Sequence, residues 1–244
     1  MSIYIIGDFV IFTWEIIKRI PYMLKRINLL LVQIYTTGVS SLPIVLFTSM
    51  FIGIVSALQT NYQMEPGIPI YYLGGTSSKV IIIELAPVVI SLVIAGRVGS
   101  YIASQTGTMK ITEQLDALKT LGIDPIGFIF APRVFGTIIS LPFLVVIAEV
   151  IAVFSAAITS AFLLGVGFDI FFYGVKRLFV MKDFLGGIMK TFFFGIIIAL
   201  WGGYYGYRTE YGAEGVGKST TKAVVMASSF ILVFDFIIAY TIFK

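Results

Sequence analysis

Five long apolar stretches constrain this chain more than any other feature. They cover residues 42–59, 80–102, 128–164, 184–204 and 223–243. About 20 apolar residues are enough for a helix to cross the hydrocarbon core of a bilayer. The chain is 58% hydrophobic and only 12% charged, far from the values of soluble domains. We therefore predict an all-α integral membrane protein with five transmembrane helices in one membrane domain, residues 1–244.

The third stretch, 128–164, is longer than one crossing needs. Two interpretations stay open: a long tilted helix that extends beyond the bilayer, or a helix bent at Pro142. The segment that follows, 165–183, is predicted to lie on the outer side of the membrane and contains Lys176, Arg177 and Lys182. An interfacial helix there would accommodate these cations.

The first 28 residues are amphipathic rather than uniformly apolar. They lack the basic region and clean apolar core of a signal peptide. Trp14 and the nearby basic residues are typical of a helix in the membrane interface, and Pro21 is expected to break it. Because Lys and Arg collect in cytoplasmic loops, we predict a cytoplasmic N-terminus. Five spans then place the C-terminus outside.

Composition excludes several classes of function. The chain has no cysteine and no histidine, so disulfides, thiolate nucleophiles and histidine metal sites are excluded. We predict no metal and no cofactor. No stretch is polar enough to form a soluble catalytic domain, so we predict a non-catalytic protein that takes energy from a partner or an ion gradient. A net charge of +4 gives no support to nucleic-acid binding.

A polar segment between the second and third spans has helical periodicity. Residues 109–121 place apolar and charged side chains on opposite faces: Ile111, Leu115, Leu118 and Leu121 against Glu113, Asp116 and Lys119. Gly122 and Pro125 would end this helix. Two interpretations are open from the pattern alone. A cytoplasmic partner grips the helix, or the helix lies on lipid headgroups.

Three acidic residues fall within predicted spans: Glu84, Glu149 and Asp235. Such residues are costly in lipid and face an interior or a partner. They could line a substrate cavity or form a proton relay, but for Glu149 and Asp235 we favour hydrogen bonds between helices. Pro87 removes a helical hydrogen bond near Glu84, which would open the helix toward a cavity. Gln59, at the end of the first span, is a second candidate for that cavity.

Two features of the second span have structural alternatives. Arg97 could bind a lipid phosphate or brace Glu113 or Asp116, and we favour a structural role. Ala95, Gly99 and Ala103 form a ladder of small residues that permits close helix contact. We expect packing within one subunit, with a dimer interface as the weaker alternative.

Residues 212–219 match the phosphate-binding pattern GxxxxGK[ST] letter by letter. A phosphate loop needs a buried strand before it and a helix packed on a sheet after it. Here the flanks are apolar spans, so we predict that this match is fortuitous. A membrane-bound nucleotide-using enzyme remains the weakest alternative.

Two long motifs carry a family resemblance. The first contains ELAPVVISLVIAGRVGS, GTMKITEQLDALKTLGIDP and PR, and the second is GYYGYRTEYGAEGVGKSTTKAVVMASS, from Gly203 to Ser229. Together they resemble the MlaE/YrbE-type permease subunit of bacterial ABC systems that transport phospholipid with MCE proteins. The resemblance covers Leu42 to the C-terminus.

The resemblance implies a homodimeric permease in the bacterial inner membrane that encloses a lipid cavity. The site residues it implies are Gln59, Glu84 and Arg97 for lipid and Glu113, Gln114, Asp116 and Leu118 for coupling to the ATPase. It further implies a cytoplasmic ABC ATPase and a periplasmic MCE-domain protein as partners, and a role in maintaining outer-membrane lipid asymmetry.

The chain departs from the resembling family at one position. Many relatives carry an arginine before the acid of ELxP, whereas this chain has Ile83. We therefore expect broad headgroup selectivity. The main alternative function is a proton-coupled secondary transporter that uses Glu84, Glu149 and Asp235, although the sequence shows no internal repeat of the kind such transporters have.

Overall fold

The computed structural model describes residues 2–19, 27–210 and 212–242, which are almost wholly helical. The α-helices are α1 (Ser2–Lys18), α2 (Ile27–Thr37), α3 (Leu42–Gln63), α4 (Tyr72–Val80), α5 (Ala86–Ile94), α6 (Ser100–Ile111), α7 (Gln114–Thr120), α8 (Ala131–Leu163), α9 (Phe168–Leu178), α10 (Met181–Tyr207) and α11 (Gly212–Ile242). A 3₁₀ turn covers Val39–Ser41, and π-helical segments cover Ile81–Leu85, Ala95–Gly99 and Ile126–Phe130.

Five helical stretches are long and apolar enough to cross a membrane. They are Ile27–Gln63, Tyr72–Ile111, Ile126–Leu163, Met181–Tyr207 and Gly212–Ile242. The predicted class, an all-α membrane protein with five spans, is confirmed. The helices extend beyond the predicted ranges because hydropathy detects only the apolar part of a helix, whereas backbone hydrogen bonding continues through polar residues. The largest such difference is at Gly212, where residue 223 was predicted. Helix α3 begins at Leu42, as predicted, and the stretch from Ile27 also includes the apolar helix α2 before it.

Two π-helical segments interrupt the second span where sequence reasoning placed candidate residues. Glu84 lies in Ile81–Leu85 and Arg97 lies in Ala95–Gly99. The backbone N–H of Ala86 donates to the carbonyl of Ile81, five residues earlier. Pro87 has no N–H to continue the α-helical ladder, which explains the wider turn before it. The helix is therefore widened at Glu84, near the predicted opening, but Glu84 is not among the lining residues of the two unit 2 cavities described below.

The N-terminal helix α1 forms as predicted and packs on other helices through aromatic rings. Phe9 stacks on Trp201 with ring centroids 4.0 Å apart, and Phe12 meets Phe130 edge to face at 5.3 Å. Polar contacts add to this: Arg19 pairs with Asp124. The break expected at Pro21 lies outside the described residues. Part of α1 is therefore held by protein contacts, beyond the interfacial anchoring that its sequence indicated.

The chain divides into two compact units. Unit 1 comprises residues 1–41, 92–141 and 193–234, and unit 2 comprises residues 42–91, 142–192 and 235–244. Within unit 1, the small-residue ladder faces α10: a Cβ at Gly202 would lie 3.0 Å from the carbonyl oxygen of Gly99. Ala95 and Ala103 are fully buried. The ladder therefore packs within the chain, as expected.

Within unit 2, glycines bring helices into close contact. A Cβ at Gly53 would lie 2.9 Å from the backbone nitrogen of Ala156, so α3 meets α8 without an intervening side chain. A Cβ at Gly74 would lie 2.9 Å from Cα of Phe171, which joins α4 to α9 in the same way. These contacts fix the positions of α3 and α4 around the cavity described below.

Helix α9 occupies the segment that was expected to hold an interfacial helix. It begins after Gly167 and carries one apolar face, on which Phe171 is fully buried. Its cations lie elsewhere: Lys176 is exposed, and the guanidinium of Arg177 lies 5.2 Å from the ring centroid of Tyr71. This separation of apolar and basic residues suits a membrane interface.

Candidate functional site

Three charged side chains from separate helical segments meet inside unit 2. Nζ of Lys190, on α10, lies 2.5 Å from a carboxylate oxygen of Glu84 and 2.8 Å from a carboxylate oxygen of Asp235. Glu84 comes from the π-helical segment before α5, and Asp235 comes from α11. We call these three residues the charged cluster.

The members of the charged cluster differ in exposure. The side chain of Lys190 is fully buried, whereas that of Glu84 is 42% exposed. Moving an ammonium group out of water costs several kcal/mol, which ion pairs and hydrogen bonds must offset. Two carboxylates supply that compensation here. If all three groups are ionised, the cluster carries a formal charge of −1, and its accessible part is a carboxylate.

Sequence reasoning missed Lys190. It weighed the three intramembrane acids and passed over the one lysine inside the predicted span 184–204. A lysine in the middle of an apolar helix is itself a signal, because it requires a partner. Three acids in other spans were available as partners. The pairing could therefore have been proposed, although its geometry could not.

A cavity of about 500 Å³ opens in unit 2. One of its lining residues, Leu85, follows Glu84 of the charged cluster in the sequence. The cavity is lined by Val55, Ser56, Gln59, Thr60, Gln63, Met64, Ile68, Tyr72, Thr76, Val80 and Leu85. The cavity thus places Gln59 beside Leu85, the residue that follows Glu84. Volume and lining are in the range of sites that hold small apolar molecules.

A second apolar cavity of about 450 Å³ continues along α3. Its lining residues are Phe47, Thr48, Phe51, Ile52, Val55, Leu85 and Val89. Val55 and Leu85 border both cavities, so the two form one groove, which we call the α3 groove. Its walls are mainly apolar in area, and all but one of its polar side chains line the cavity that contains Gln59; Thr48 lines the second cavity. Such a surface suits hydrocarbon chains with a polar group at one end.

Of the three predicted cavity residues, Gln59 lines the α3 groove. Glu84 lies in the charged cluster and is not among the lining residues of the groove, although Leu85, the next residue in the sequence, is. Arg97 belongs to unit 1 and lines a different cavity, with Thr36, Ser40, Val98 and Tyr101. Its guanidinium bonds the hydroxyl of Ser41. The contacts of the described residues show no brace between Arg97 and the acids at 113 and 116.

The three intramembrane acids do not form a chain. Glu84 and Asp235 share Lys190, whereas Glu149 is 4% exposed, and its Oε1 has no hydrogen-bond partner among the described residues. The expectation was hydrogen bonds between helices; Asp235 instead forms an interhelical ion pair through Oδ1, an atom that has no hydrogen-bond partner among the described residues. The expectation is not confirmed for Glu149 either.

The amphipathic segment differs from the predicted helix 109–121. Helix α6 continues to Ile111, the chain turns at Glu113 in a left-handed conformation (φ 59°), and α7 covers only Gln114–Thr120. The side chain of Leu115 is fully buried, but Leu121 is 73% exposed because it lies beyond the end of α7. The periodicity predicted one helix because it does not detect a turn that preserves the apolar spacing.

The polar side chains of this segment have distinct partners. Asp116 pairs with Lys119 at 2.9 Å and with Lys110 at 3.2 Å. These two cations lower the pKa of Asp116, and the hydrogen bond from Lys119 is the largest single cause. Glu113 and Gln114 are exposed. The segment therefore offers one acid and one amide to a partner, while Asp116 stabilises the turn itself.

The GxxxxGK[ST] match forms no phosphate loop. Residues 212–219 are helical and open α11, and the ammonium of Lys218 pairs with Glu214 at 2.6 Å. A Cβ at Gly215 would collide with the backbone of Glu210, so the glycine allows the backbone at residue 215 to lie close to the backbone at Glu210. The geometry agrees with the prediction that the match is fortuitous.

Comparison with known proteins gives a consistent result. The family model described as Permease MlaE matches residues 30–241. A probable ABC transporter permease protein of Rickettsia typhi is 35% identical over 98% of this chain and 92% of its own length. The intermembrane phospholipid transport system permease protein MlaE of Haemophilus influenzae is 32% identical over 91% of this chain and 86% of its own. A probable ABC transporter permease protein of a Synechocystis strain is 36% identical over 87% of this chain and 81% of its own.

Proposed function

The chain belongs to the MlaE permease family of ABC transporters for phospholipid, and from this premise we propose that it binds phospholipid in the α3 groove and passes it to or from a periplasmic MCE-domain protein. The observation that carries the proposal is the groove itself, which is mainly apolar along α3 and has most of its polar side chains in the cavity that contains Gln59. The acyl chains of the bound phospholipid would lie against Phe51, Val55 and Leu85.

We propose that a second copy of the chain completes the groove. Phe47, Phe51 and Val55 lie on one side of α3 and are 64%, 47% and 59% exposed. A paired copy would cover this face and enclose the lipid in a homodimer. Crosslinking from a cysteine introduced at Phe47 tests this arrangement, since the chain has no cysteine of its own. A monomer at every protein concentration in native-like membranes would contradict it.

Energy would come from a separate cytoplasmic ABC ATPase that contacts the segment around α7. Glu113 and Gln114 are exposed there, and Leu118 is partly accessible. Closure of the ATPase on ATP would move α7 and, through α6, the second span. This assignment places α7 and the N-terminus in the cytoplasm and the C-terminus in the periplasm. Delivery of lipid by this route would maintain outer-membrane lipid asymmetry.

The test is capture of partners by the purified chain from bacterial membranes and cytoplasm, with proteins and lipids identified by mass spectrometry. Wild type is expected to retain an ABC ATPase and phospholipid. Glu113→Lys is expected to lose only the ATPase, because it leaves the Asp116 ion pairs intact. Lys222→Glu, at an exposed position on α11, is the control for charge change. Absence of any ATPase in mild detergent would reject the proposal.

One observation favours a second candidate, proton-coupled transport: Glu84 and Asp235 share a buried lysine, an arrangement that also occurs in proton relays. Transport in proteoliposomes that is abolished by a protonophore at constant ATP would support this candidate. Transport that requires ATP and the ATPase, and persists with the protonophore, would exclude it.

A further inference from the structure

Three exposed cations lie close together in the sequence of unit 2, at the end of α9 and the start of α10. They are Lys176, Arg177 and Lys182, which we call the basic segment. None of them forms an ion pair with a carboxylate of the described residues. The acid next to them, Asp183, already pairs with a lysine of α4 at 3.1 Å, and the one acid of α9, Asp169, lies in its first turn, at the far end of the helix. The basic segment is therefore a local excess of positive charge that the described residues do not neutralise.

Helix α9 lies against the side of a membrane span. The ring of Phe172 packs against that of Phe154, with centroids 5.7 Å apart, and Phe154 lies within the third span. On another face α9 is fixed to α4, where Gly174 leaves no room for a side chain against the carbonyl of Tyr71. Large apolar side chains beside the cations are exposed: Phe168, Ile170, Phe179, Val180 and Met181. Exposed apolar side chains next to Lys and Arg are typical of a helix at the level of the lipid headgroups.

Two tyrosines hold the guanidinium of Arg177 in place. It lies 5.2 Å from the ring centroid of Tyr71 and 5.9 Å from that of Tyr173, and its Nη1 donates to the hydroxyl of Tyr173 at 2.9 Å. A guanidinium has five N–H groups, and this hydrogen bond uses one of them. The planar arrangement of the others matches the oxygens of a phosphate.

Ring contacts connect the basic segment to the α3 groove. Tyr72 lines the cavity that contains Gln59, and its ring stacks on that of Tyr71 with centroids 4.7 Å apart. Tyr71 is also the ring that the guanidinium of Arg177 covers. Two contacts thus lead from the wall of the groove to the basic segment.

Charge and surroundings together define the occupant of this surface. Exposed cations without a carboxylate partner favour an anion, and clusters of Lys and Arg beside a membrane span attract anionic lipid headgroups. An acidic protein would satisfy the same charge. The exposed apolar side chains favour lipid, because they can enter the acyl region while the neighbouring cations meet the phosphates.

We infer that the basic segment is a docking surface for the headgroups of anionic phospholipids and concentrates these lipids beside the α4 side of the α3 groove. The attraction of anionic headgroups rests on the charges and position of α9. The delivery of these lipids to the groove rests on the proposed function, to which the inference adds anionic phospholipid as the preferred class. This preference arises outside the groove, so it does not need a headgroup clamp within it.

The test measures which lipids touch the basic segment in a bilayer. The chain has no cysteine, so Val180→Cys places a single fluorophore between Arg177 and Lys182. The full chain is placed in phosphatidylcholine nanodiscs, and phosphatidylglycerol or phosphatidylcholine with a quenching nitroxide on the same acyl chain is titrated in. We expect phosphatidylglycerol to quench at lower mole fractions than phosphatidylcholine. Its apparent affinity should fall roughly fivefold for each cation removed in Lys176→Gln, Lys182→Gln and Arg177→Gln.

Three controls separate attraction by charge from other causes. Lys218→Gln with Lys222→Gln removes two exposed lysines of α11 in the other compact unit and should change nothing. Arg177→Lys keeps the charge and should keep most of the affinity, whereas high salt should reduce it. Equal quenching by the two lipids in the Val180→Cys chain would overturn the inference. A preference for phosphatidylglycerol that survives loss of all three cations would also overturn it.

Val55→Trp, which places a large ring in the α3 groove, separates this inference from the proposed function. The preference for phosphatidylglycerol at the basic segment should persist in this variant. Loss of the preference would overturn the inference, because the quenching lipid would then be one bound in the groove. Normal lipid transfer by Val55→Trp, with the preference intact, would count against the proposed function alone. Cation-dependent capture of an acidic protein without any preference for phosphatidylglycerol would overturn the inference in favour of a protein partner.

Discussion

The ammonium group of Lys190 lies 2.5 Å from a carboxylate oxygen of Glu84, although 105 residues separate them in the chain. Lys190 is fully buried and Glu84 is partly exposed, so the lysine acts as a fixed counterion behind an accessible carboxylate. It cannot itself reach a lipid phosphate without a rearrangement of the cluster. Glu84 is therefore the accessible member of this pair, and Lys190 holds its carboxylate in place.

Removing Lys190 should destabilise the fold. Lys190→Met leaves two buried or partly buried carboxylates without their cation, and the expected loss is about 3–5 kcal/mol of unfolding free energy. Unfolding in mixed micelles with increasing SDS measures it. Lys182→Met, at an exposed position of the same helix, should have little effect. The triple variant Lys190→Met, Glu84→Gln, Asp235→Asn should regain most of the loss. Wild-type stability of the single variant Lys190→Met would show that the ion pairs of Lys190 contribute nothing to the free energy of unfolding.

Close contact between α3 and α8 predicts strong sensitivity at Gly53. A methyl group there would lie 2.9 Å from backbone atoms of Ala152 and Ala156, so Gly53→Ala must separate the helices. We expect a loss of about 1–3 kcal/mol, the usual cost of overpacking. Gly217→Ala is the control, because Gly217 in α11 has open space around its Cβ position, and alanine should stabilise that helix by up to about 1 kcal/mol. Gly53→Ala should lower the melting temperature, and Gly217→Ala should raise it. Equal shifts would contradict the close contact between α3 and α8.

At Glu113, the effect of the backbone conformation on stability can be measured separately from the effect of the side-chain charge on ATPase capture. Its left-handed backbone costs a non-glycine residue about 1–2 kcal/mol, so Glu113→Gly should raise stability, by about 1 kcal/mol after the entropy cost of glycine. Because glycine also removes the carboxylate, ATPase capture by this variant shows whether the charge matters. Unchanged capture would contradict a direct role for the acid of Glu113, whereas loss of capture with a more stable fold would support it.

Acid should loosen the segment around α7. Lys119 and Lys110 hold the pKa of Asp116 below its ordinary value, so the ion pairs are complete above that ordinary value, about 4, and are lost as the pH falls through the folded pKa. The difference in melting temperature between wild type and Asp116→Asn should therefore be constant near neutral pH and vanish in strong acid. Since these groups are exposed, added salt should reduce the difference. A difference in melting temperature that grows in acid would contradict a lowered pKa of Asp116.

The sequence predicted those parts of the fold that depend on local pattern. Apolar length identified five spans, Pro87 predicted the widened turn at Glu84, and small residues predicted close contact within the chain. The break at Glu113 could not be predicted, because a left-handed glutamate has no strong sequence signal and the apolar spacing continues across it. The helical start of α11 was missed because its residues 212–222 are polar and rich in glycine.

The candidate site was less predictable than the fold. Gln59 and Glu84 come from separate spans, and only tertiary packing decides that Gln59 lines the groove while Glu84 pairs with Lys190. Arg97 shares a helix with Glu84 but belongs to the other unit, a separation that spacing along one helix does not reveal.

Phospholipid occupancy of the α3 groove is the most direct test of the account. Wild type, Val55→Trp and Leu85→Trp would be purified from the same membranes, and bound phospholipid per chain would be measured by mass spectrometry. Ile237→Trp is the control, because Ile237 is 47% exposed on α11 and lines neither cavity. We predict that both groove variants lose most of the bound phospholipid while the control keeps it. Equal lipid content in all four proteins would contradict the assignment of the groove as the lipid site.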